Sequence, residues 1–198
     1  MNPDRPKIDP KYETLTFEHD FGNRYCYFKE DIDPRFPEPK GKEFDVSIFC
    51  DADHGHDKKT GRSITGVIVM VGSTPVEWTS TKQGSVHVST YGAEFMALKK
   101  AIEHAVDIRY HLRSIGIRVT KPTDIYVDNM AVIINSTNPG ISLNKKMVAL
   151  AYHFVREHIA NGVIHVKKID GKDNYADAFT KSLNSKVFHG FFYELMCN

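Results

Sequence analysis

One stretch constrains this chain more than any other: "STYGAEFMALKKAIEHAVDIRYHLRSIG", residues 89–116, whose apolar positions recur at helical spacing. Positions 94, 98, 101, 105, 108 and 112 advance by four and three residues and so share a face. They read Glu94, Leu98, Ala101, Ala105, Ile108 and Leu112. A helix of this length has to bury such a stripe against a second layer, and the apolar positions suit the face of a sheet. Glu94 is the exception, a carboxylate in the opening turn of the apolar face. A buried acid without a partner costs several kcal/mol, so Glu94 either meets a cation or sits wet at the core's edge beside the helix N-terminus. Ser89 or Thr90 offers the N-cap, and Gly116 the stop.

Upstream lie short β-branched and apolar stretches. "DVSIFCD" (45–51), "TGVIVMVG" (65–72) and "PVEWTS" (75–80) read as strands, the last two joined across Gly72, Ser73 and Thr74. Downstream, strands and helices alternate. "TDIYVD" (123–128) is a strand, "NMAVIINS" (129–136) a short helix begun by Asn129, "NKKMVALAYHFVREHIANG" (144–162) a long helix, and "VIHVKKI" (163–169) a further strand. "NYADAFTKSL" and "SKVFHGFFYELM" predict one or two closing helices. Strands grouped early and then alternating with helices point to an α/β domain on a single central sheet. Residues 1–43 differ. They are rich in proline and charge, as in "NPDRPKIDPKY" and "DIDPRFPEPKGKE", and read as an extended arm with room for one short docked strand, ahead of a domain over 44–198.

Composition removes several function classes. With 41% hydrophobic and 26% charged residues this is an ordinary globular composition, and no uncharged apolar run reaches the length of a membrane span. The amino terminus lacks the basic-then-apolar layout of a signal peptide, which predicts an intracellular protein. Cys26, Cys50 and Cys197 are widely separated, without a CxxC, so neither a disulfide framework nor a structural zinc cluster is expected. A net charge of +1 gives no general attraction to nucleic acid, although basic pairs recur at Lys58-Lys59, Lys99-Lys100, Lys145-Lys146 and Lys167-Lys168.

Three further acids stand where a site could use them. Asp128 ends the strand "DIYVD" directly before a helix, at the kind of strand terminus where α/β proteins keep their sites. Asp51 closes "DVSIFCD" on the parity of Ser47 and Phe49, opposite Val46, Ile48 and Cys50. Taken alone, either could be an Asp holding a turn. Asp177 falls in the first turns of a helix capped by Asp173 or Asn174, and its plain alternative is an i, i+4 pair with Lys181. Four separated carboxylates suit two hard divalent ions, which prefer carboxylate oxygens and retained waters and need no protein nucleophile.

Taken in order, six motifs carry a resemblance. "CDADHGHD", "EWTSTKQ", "STYGAEFMAL", "YVDNMAV", "YHFVREHIANG" and "YADAFTKSL" stand in the sequence and at the intervals that mark the ribonuclease H domain of copia-type retrotransposon Pol polyproteins. From about residue 45 to residue 183 the chain resembles that family, and the arm resembles the stretch linking such a domain to an upstream reverse transcriptase. The resemblance implies a ribonuclease H-like fold, a five-stranded mixed sheet flanked by helices, and a catalytic, metal-binding set of Asp51, Glu94, Asp128 and Asp177. Asp51 would bridge two Mg²⁺ ions, with Mn²⁺ a possible substitute. Glu94 matches the second Glu of the family's E-A-E, whose first position is Gly92 here. The implied reaction is endonucleolytic hydrolysis of the RNA strand of an RNA/DNA hybrid during reverse transcription, leaving a 3′-hydroxyl and a 5′-phosphate. Gln83, Ser89 and Asn129 are candidate polar contacts to substrate, and Lys82, Lys145 and Lys146 candidate phosphate contacts. The expected partners are the hybrid and the reverse transcriptase of the same polyprotein, with no membrane, in a cytoplasmic virus-like particle or the nucleus. The chain departs from the family at Met147, where a His often follows the Lys, and in "DGKDN", which lacks the loop His of cellular relatives.

Other readings compete. Integrases and transposases share the fold, but they place their catalytic Glu on a late helix rather than the first long one. A fold kept as a nucleic-acid-binding or polymerase-supporting scaffold would be expected to lose a carboxylate, and all four are present. A calcium loop counted from Asp51 would need an oxygen ligand at Gly55 and a Glu at Arg62, so it fails. Cys50 is expected in the core, while Asp53, His54, His56 and Asp57 are expected in a hairpin turn.

Overall fold

The three early apolar stretches form an antiparallel meander, and the two later ones add parallel strands beside its first member. A computed structural model describes residues 43–138 and 149–197; the arm over 1–42, together with Lys145, Lys146 and Met147, lies outside the described residues. The strands are β1 (Val46–Asp57), β2 (Arg62–Val71), β3 (Thr74–Lys82), β4 (Thr123–Val127) and β5 (Ile164–Lys168). They form one mixed sheet in the order β3-β2-β1-β4-β5, antiparallel among the first three and parallel from β1 to β5. The helices are α1 (Thr90–Ser114), α2 (Met130–Thr137), α3 (Ala149–Ala160), α4 (Asp177–Thr180) and α5 (Ser185–Cys197). A 3-10 turn at Gly171–Asp173 precedes α4.

β1 is central and is buried on both faces, as its parity requires. Val46, Ile48, Cys50 and Ala52 join Val67 and Val69 of β2 in a core completed by Phe95, Leu98, Ala101, Ile102 and Ala105 of α1. Phe49 points the other way, into a smaller cluster with Ile68, Met70 and Ala176. There its ring stacks on Tyr126 and meets the edge of Tyr175.

Helix α1 starts and stops where its sequence says. Ser89 Oγ accepts from Gly92 N at 3.3 Å, and the C-terminus closes through Gly116 N to Arg113 O at 3.0 Å and Ile117 N to Leu112 O at 2.9 Å. Its buried face differs at one turn from the predicted stripe, for Ile108 is half-buried and Arg109 is buried instead. The Arg109 guanidinium donates to the carbonyls of Lys121 and Val119 and to Thr123 Oγ1, satisfying the loop that leads into β4.

β1 also runs further than expected. The strand continues past Asp51 to Asp57, with an irregular register between Asp53 and Asp57 opposite Ile64 and Arg62. Gly55 sits inside that irregularity at φ 66, a conformation that favours glycine at a bulge. The crowd of polar side chains there is used locally. His56 Nδ1 pairs with Asp53 Oδ2 at 2.7 Å, His54 Nε2 bonds His87 O at 2.7 Å, and Asp57 takes Thr60, Lys59 N and Lys82.

Candidate active site

The parallel pairing of β1 with β4 ends at Phe49 and Tyr126. Two residues further along each strand stand Asp51 and Asp128, so the shared register brings both acids to the point where the strands part. Helix α1 crosses the sheet on the large-core side and presents Glu94 to the same point. Ligand oxygens of Asp51, Glu94 and Asp128 all lie within 4.8 Å of one another. Asp51 is 1% exposed and Glu94 6%. Among the described residues, Asp51 Oδ1 and Glu94 Oε2 are buried with no hydrogen-bond partner.

These orphaned oxygens have an electrostatic consequence. Burial, reinforced by the charges of Asp51 and Asp128, pushes the Glu94 carboxyl up to about 9. Burial and the neighbouring Asp51 likewise raise Asp128. Negative charge on Glu94 and Asp128 is thus penalised by burial and by their acidic neighbours, and a hard cation would change that balance. The donor set fits such a group: all ligand atoms are carboxylate oxygens, no thiolate is within the set, and two of the oxygens lack any other partner.

Asp177 arrives from the opposite side and is not part of that three-acid group. Its Oδ1 lies 2.9 Å from Lys181 Nζ, and the same ammonium is 3.2 Å from Asp51 Oδ2. The i, i+4 pair read as the plain alternative is therefore present, and it adjoins the site. Burial raises the Asp177 carboxyl against the hydrogen bond from Lys181. The Lys181 ammonium is held well above its ordinary range: burial opposes this, but the bond to Asp177 and the charge of Asp51 outweigh it.

Known proteins can be compared with this arrangement. No protein-family model matches the chain. The retrovirus-related Pol polyprotein from transposon RE1 of Arabidopsis thaliana is 33% identical over 152 residues, covering 77% of this chain and 10% of the polyprotein. That from transposon RE2 of the same plant is 32% identical over the same share. The chain thus spans about a tenth of the length of the curated relatives it matches. The chain belongs to the copia-type transposon Pol family.

Its fold is that of ribonuclease H. The N-terminal ribonuclease H domain of a Mycobacterium tuberculosis protein, solved as a fusion with maltose-binding protein, superposes with a TM-score of 0.53 at 16% identity over 76% of this chain and 97% of that one. A foamy viral protease-reverse transcriptase, solved in complex with RNA/DNA hybrid, gives 0.52 at 16% over 76% of this chain and 22% of that one. Among the described residues no helix is long and apolar enough to cross a membrane.

Within this Pol segment the proposed substrate contacts have structural duties. Asn129 caps α2, its Oδ1 accepting from Ala131 N at 3.0 Å. Ser89 caps α1. Gln83 Nε2 donates to Thr65 Oγ1 at 2.8 Å and Ala93 O at 2.9 Å, tying β3 to the start of α1. Lys82 is paired with Asp57 at 2.6 Å on the hairpin. The Lys167-Lys168 pair is occupied too: Lys167 bonds Asp124 at 2.7 Å, and Lys168 bonds the carbonyl of Asp128 at 2.5 Å.

Four residues hold the Asp177 side in place, of which the sequence singled out Asn174 alone, and as a helix cap, whereas the cap position of α4 is Ala176. Asn174, fully buried, donates from Nδ2 to Cys50 O at 3.1 Å and accepts from Ala176 N at 3.2 Å. Thr180 Oγ1 donates to Asp51 Oδ2, and Ser80 Oγ to Phe179 O at 2.6 Å. Gly66, paired with Asp51 across the sheet, lets this segment approach: a Cβ there would come within 2.7 Å of Ala176 O and 2.8 Å of Thr180 Cγ2. The bare glycine in an otherwise apolar strand is the one signal that could have suggested a close approach.

Proposed function

We propose that the chain is a divalent-ion-dependent endonuclease that hydrolyses the RNA strand of an RNA/DNA hybrid. The observation that carries this is the meeting of Asp51, Glu94 and Asp128 around two buried carboxylate oxygens that have no partner. The ribonuclease H fold and the Pol relatives support the same chemistry, and the foamy viral neighbour was solved with such a hybrid.

Asp51, Glu94 and Asp128 would hold one ion and Asp51 with Asp177 a second, of which Mg²⁺ suits the donor set and Mn²⁺ can substitute. When bound, such ions lower the pKa of a coordinated water and stabilise charge on the departing oxygen. The residues themselves do the positioning. Thr180 fixes Asp51 by donating to Oδ2, while Oδ1 stays buried and without a hydrogen-bond partner among the described residues. Lys168 holds the Asp128 carbonyl, steadying the end of β4. The Asn129 amide nitrogen, next to Asp128 in the chain, and the Ser89 hydroxyl, at the cap of the helix that carries Glu94, serve as contacts to a 2′-hydroxyl, which distinguishes RNA from DNA. Lys145 and Lys146 supply phosphate contacts. In this reading residues 1–43 connect the domain to a reverse transcriptase in a longer polyprotein.

The test is cleavage of end-labelled RNA annealed to DNA, against single-stranded RNA and duplex DNA, with Mg²⁺ or Mn²⁺. Wild type should cut only the hybrid, leaving 3′-hydroxyl ends, and Asp51→Asn and Asp128→Asn should lower the rate by about a thousandfold or more. A folded wild type that binds hybrid but cuts nothing with either ion would leave a scaffold module as the function.

A further inference from the structure

The carboxylate cluster is divided in two. On one side, Asp51 Oδ1 and Glu94 Oε2 are buried and without partners, and with Asp128 they leave an open set of oxygens. On the other side the second oxygen of Asp51 is already engaged. Thr180 Oγ1 donates to Oδ2, Lys181 Nζ stands 3.2 Å from it, and the same ammonium lies 2.9 Å from Asp177 Oδ1. Lys181 therefore bridges the two acids flanking this side, where a cation shared between them would sit.

The surroundings of the two acids and of the ammonium differ. Asp51 and Thr180 are buried, and the segment carrying Asp177 is anchored by Asn174 and Ser80. The Lys181 side chain, in contrast, is 41% exposed and leaves the chain at the C-cap of α4. A flexible four-carbon stem next to solvent can swing its ammonium into water without disturbing the carboxylates it leaves behind.

We infer that Lys181 is a displaceable resident cation at the second ion position, holding Asp51 and Asp177 together when divalent ions are scarce and yielding only to the second ion. The inference rests on the two-ion reading above and deepens it. The exchange is non-covalent: an ammonium with one charge-assisted hydrogen bond, to Asp177, and one ion pair, to Asp51, leaves for water, and a hard divalent cation takes the same carboxylates. An ion entering the Asp51, Glu94 and Asp128 set meets no such competitor. Because the ammonium is partly exposed, solvent weakens its hold, and the expected penalty on the second ion is about tenfold in affinity.

Mn²⁺ binding to the full chain, stripped of divalent ions, tests this by titration calorimetry and by paramagnetic resonance of the free ion. Wild type should bind in two steps. Lys181→Met should tighten the second step about tenfold and leave the first unchanged, whereas Lys181→Arg, which keeps the charge, should leave the second step weak. A second step unmoved or weakened in Lys181→Met, with a normal first step, overturns the inference and leaves the two-ion reading standing. A folded wild type with no first step overturns both. Circular dichroism reports folding of each variant, and Lys181→Gln replaces Lys181→Met if that protein does not fold.

Discussion

The two faces of the sheet build the site by different means. On the α1 face, apolar residues of β1, β2 and β4 meet Phe95, Leu98, Ala101 and Ile102 in one continuous core, and Glu94 rises from the helix that this core clamps. On the other face a smaller cluster of Phe49, Ile68, Met70 and Ala176 is buried among the described residues, with Tyr175 and Phe179 packed against it, and Asp177 rides on a four-residue helix. That helix is held by single polar pins, Asn174 to Cys50 O, Ser80 to Phe179 O and Thr180 to Asp51. A fully buried Leu or Phe contributes about 1.5–3 kcal/mol, and a typical hydrogen bond about 0.5–1.5 kcal/mol net. Glu94 is thus carried by an element fixed by extensive packing, while Asp177 is carried by one fixed by a smaller cluster, a few bonds and a close approach.

Breaking the packed side should cost function most. Glu94→Gln is expected to lower hybrid cleavage by about a thousandfold while preserving the fold. It should also change how stability depends on pH. Glu94 is raised from 4.5 to about 9 by burial and by the charges of Asp51 and Asp128, so the folded state binds more protons than the unfolded state between those values. The stability tied to its protonation is fully present below 4.5 and is lost as pH rises towards 9. Denaturant titrations in a chelator should therefore show unfolding free energy falling across that window in wild type, with most of the slope gone in Glu94→Gln. An equal slope in both proteins would place the titrating group elsewhere.

Gly66→Ala attacks the lightly held side. The new Cβ would meet Ala176 O at 2.7 Å and Phe179 Cβ at 3.0 Å, contacts with backbone and a helix that cannot both yield in place. About 1–3 kcal/mol of stability should be lost, with amide exchange accelerating over residues 176–181 and unchanged over α1. Equal acceleration in α1 would mean that the two faces are not energetically separate. Asn174→Ala is the mildest of the three. It leaves the buried Cys50 carbonyl unsatisfied and should cost about 1–2 kcal/mol, measured by denaturation. Cleavage should fall less than in Gly66→Ala.

Much of the packed side was legible because its signals are local. The 3.6-residue period of α1 exposes Glu94 as an exception, and the apolar run ending in Asp128 locates that acid at a strand end. The i, i+4 spacing of Asp177 and Lys181 likewise predicted their contact, though not that the ammonium also reaches Asp51. What stayed hidden depends on residues far apart in the chain. Asn174 bonds a carbonyl 124 positions away, and Thr180 a carboxylate 129 positions away. The extension of β1 to Asp57 was hidden for another reason: after Ala52 it alternates between exposed histidines and half-buried Asp53, Gly55 and Asp57, with no further apolar residue to mark an inner face. Arg109 reads as a surface residue until the carbonyls of the loop before β4 are known to face it.

The parting of β1 from β4 leaves the Cys50 carbonyl to be met by Asn174 rather than by a neighbouring strand. In time rather than space, this makes the site a late event. All five strands and α1 have been synthesised by Lys168, yet the anchor at 174, the fourth acid at 177 and the bridging amine at 181 follow only afterwards. A nascent chain can assemble its sheet and bring three acids together before the segment that completes the set exists. The set of four acids is then completed only by the segment that follows β5, after the framework of strands and α1 is already standing.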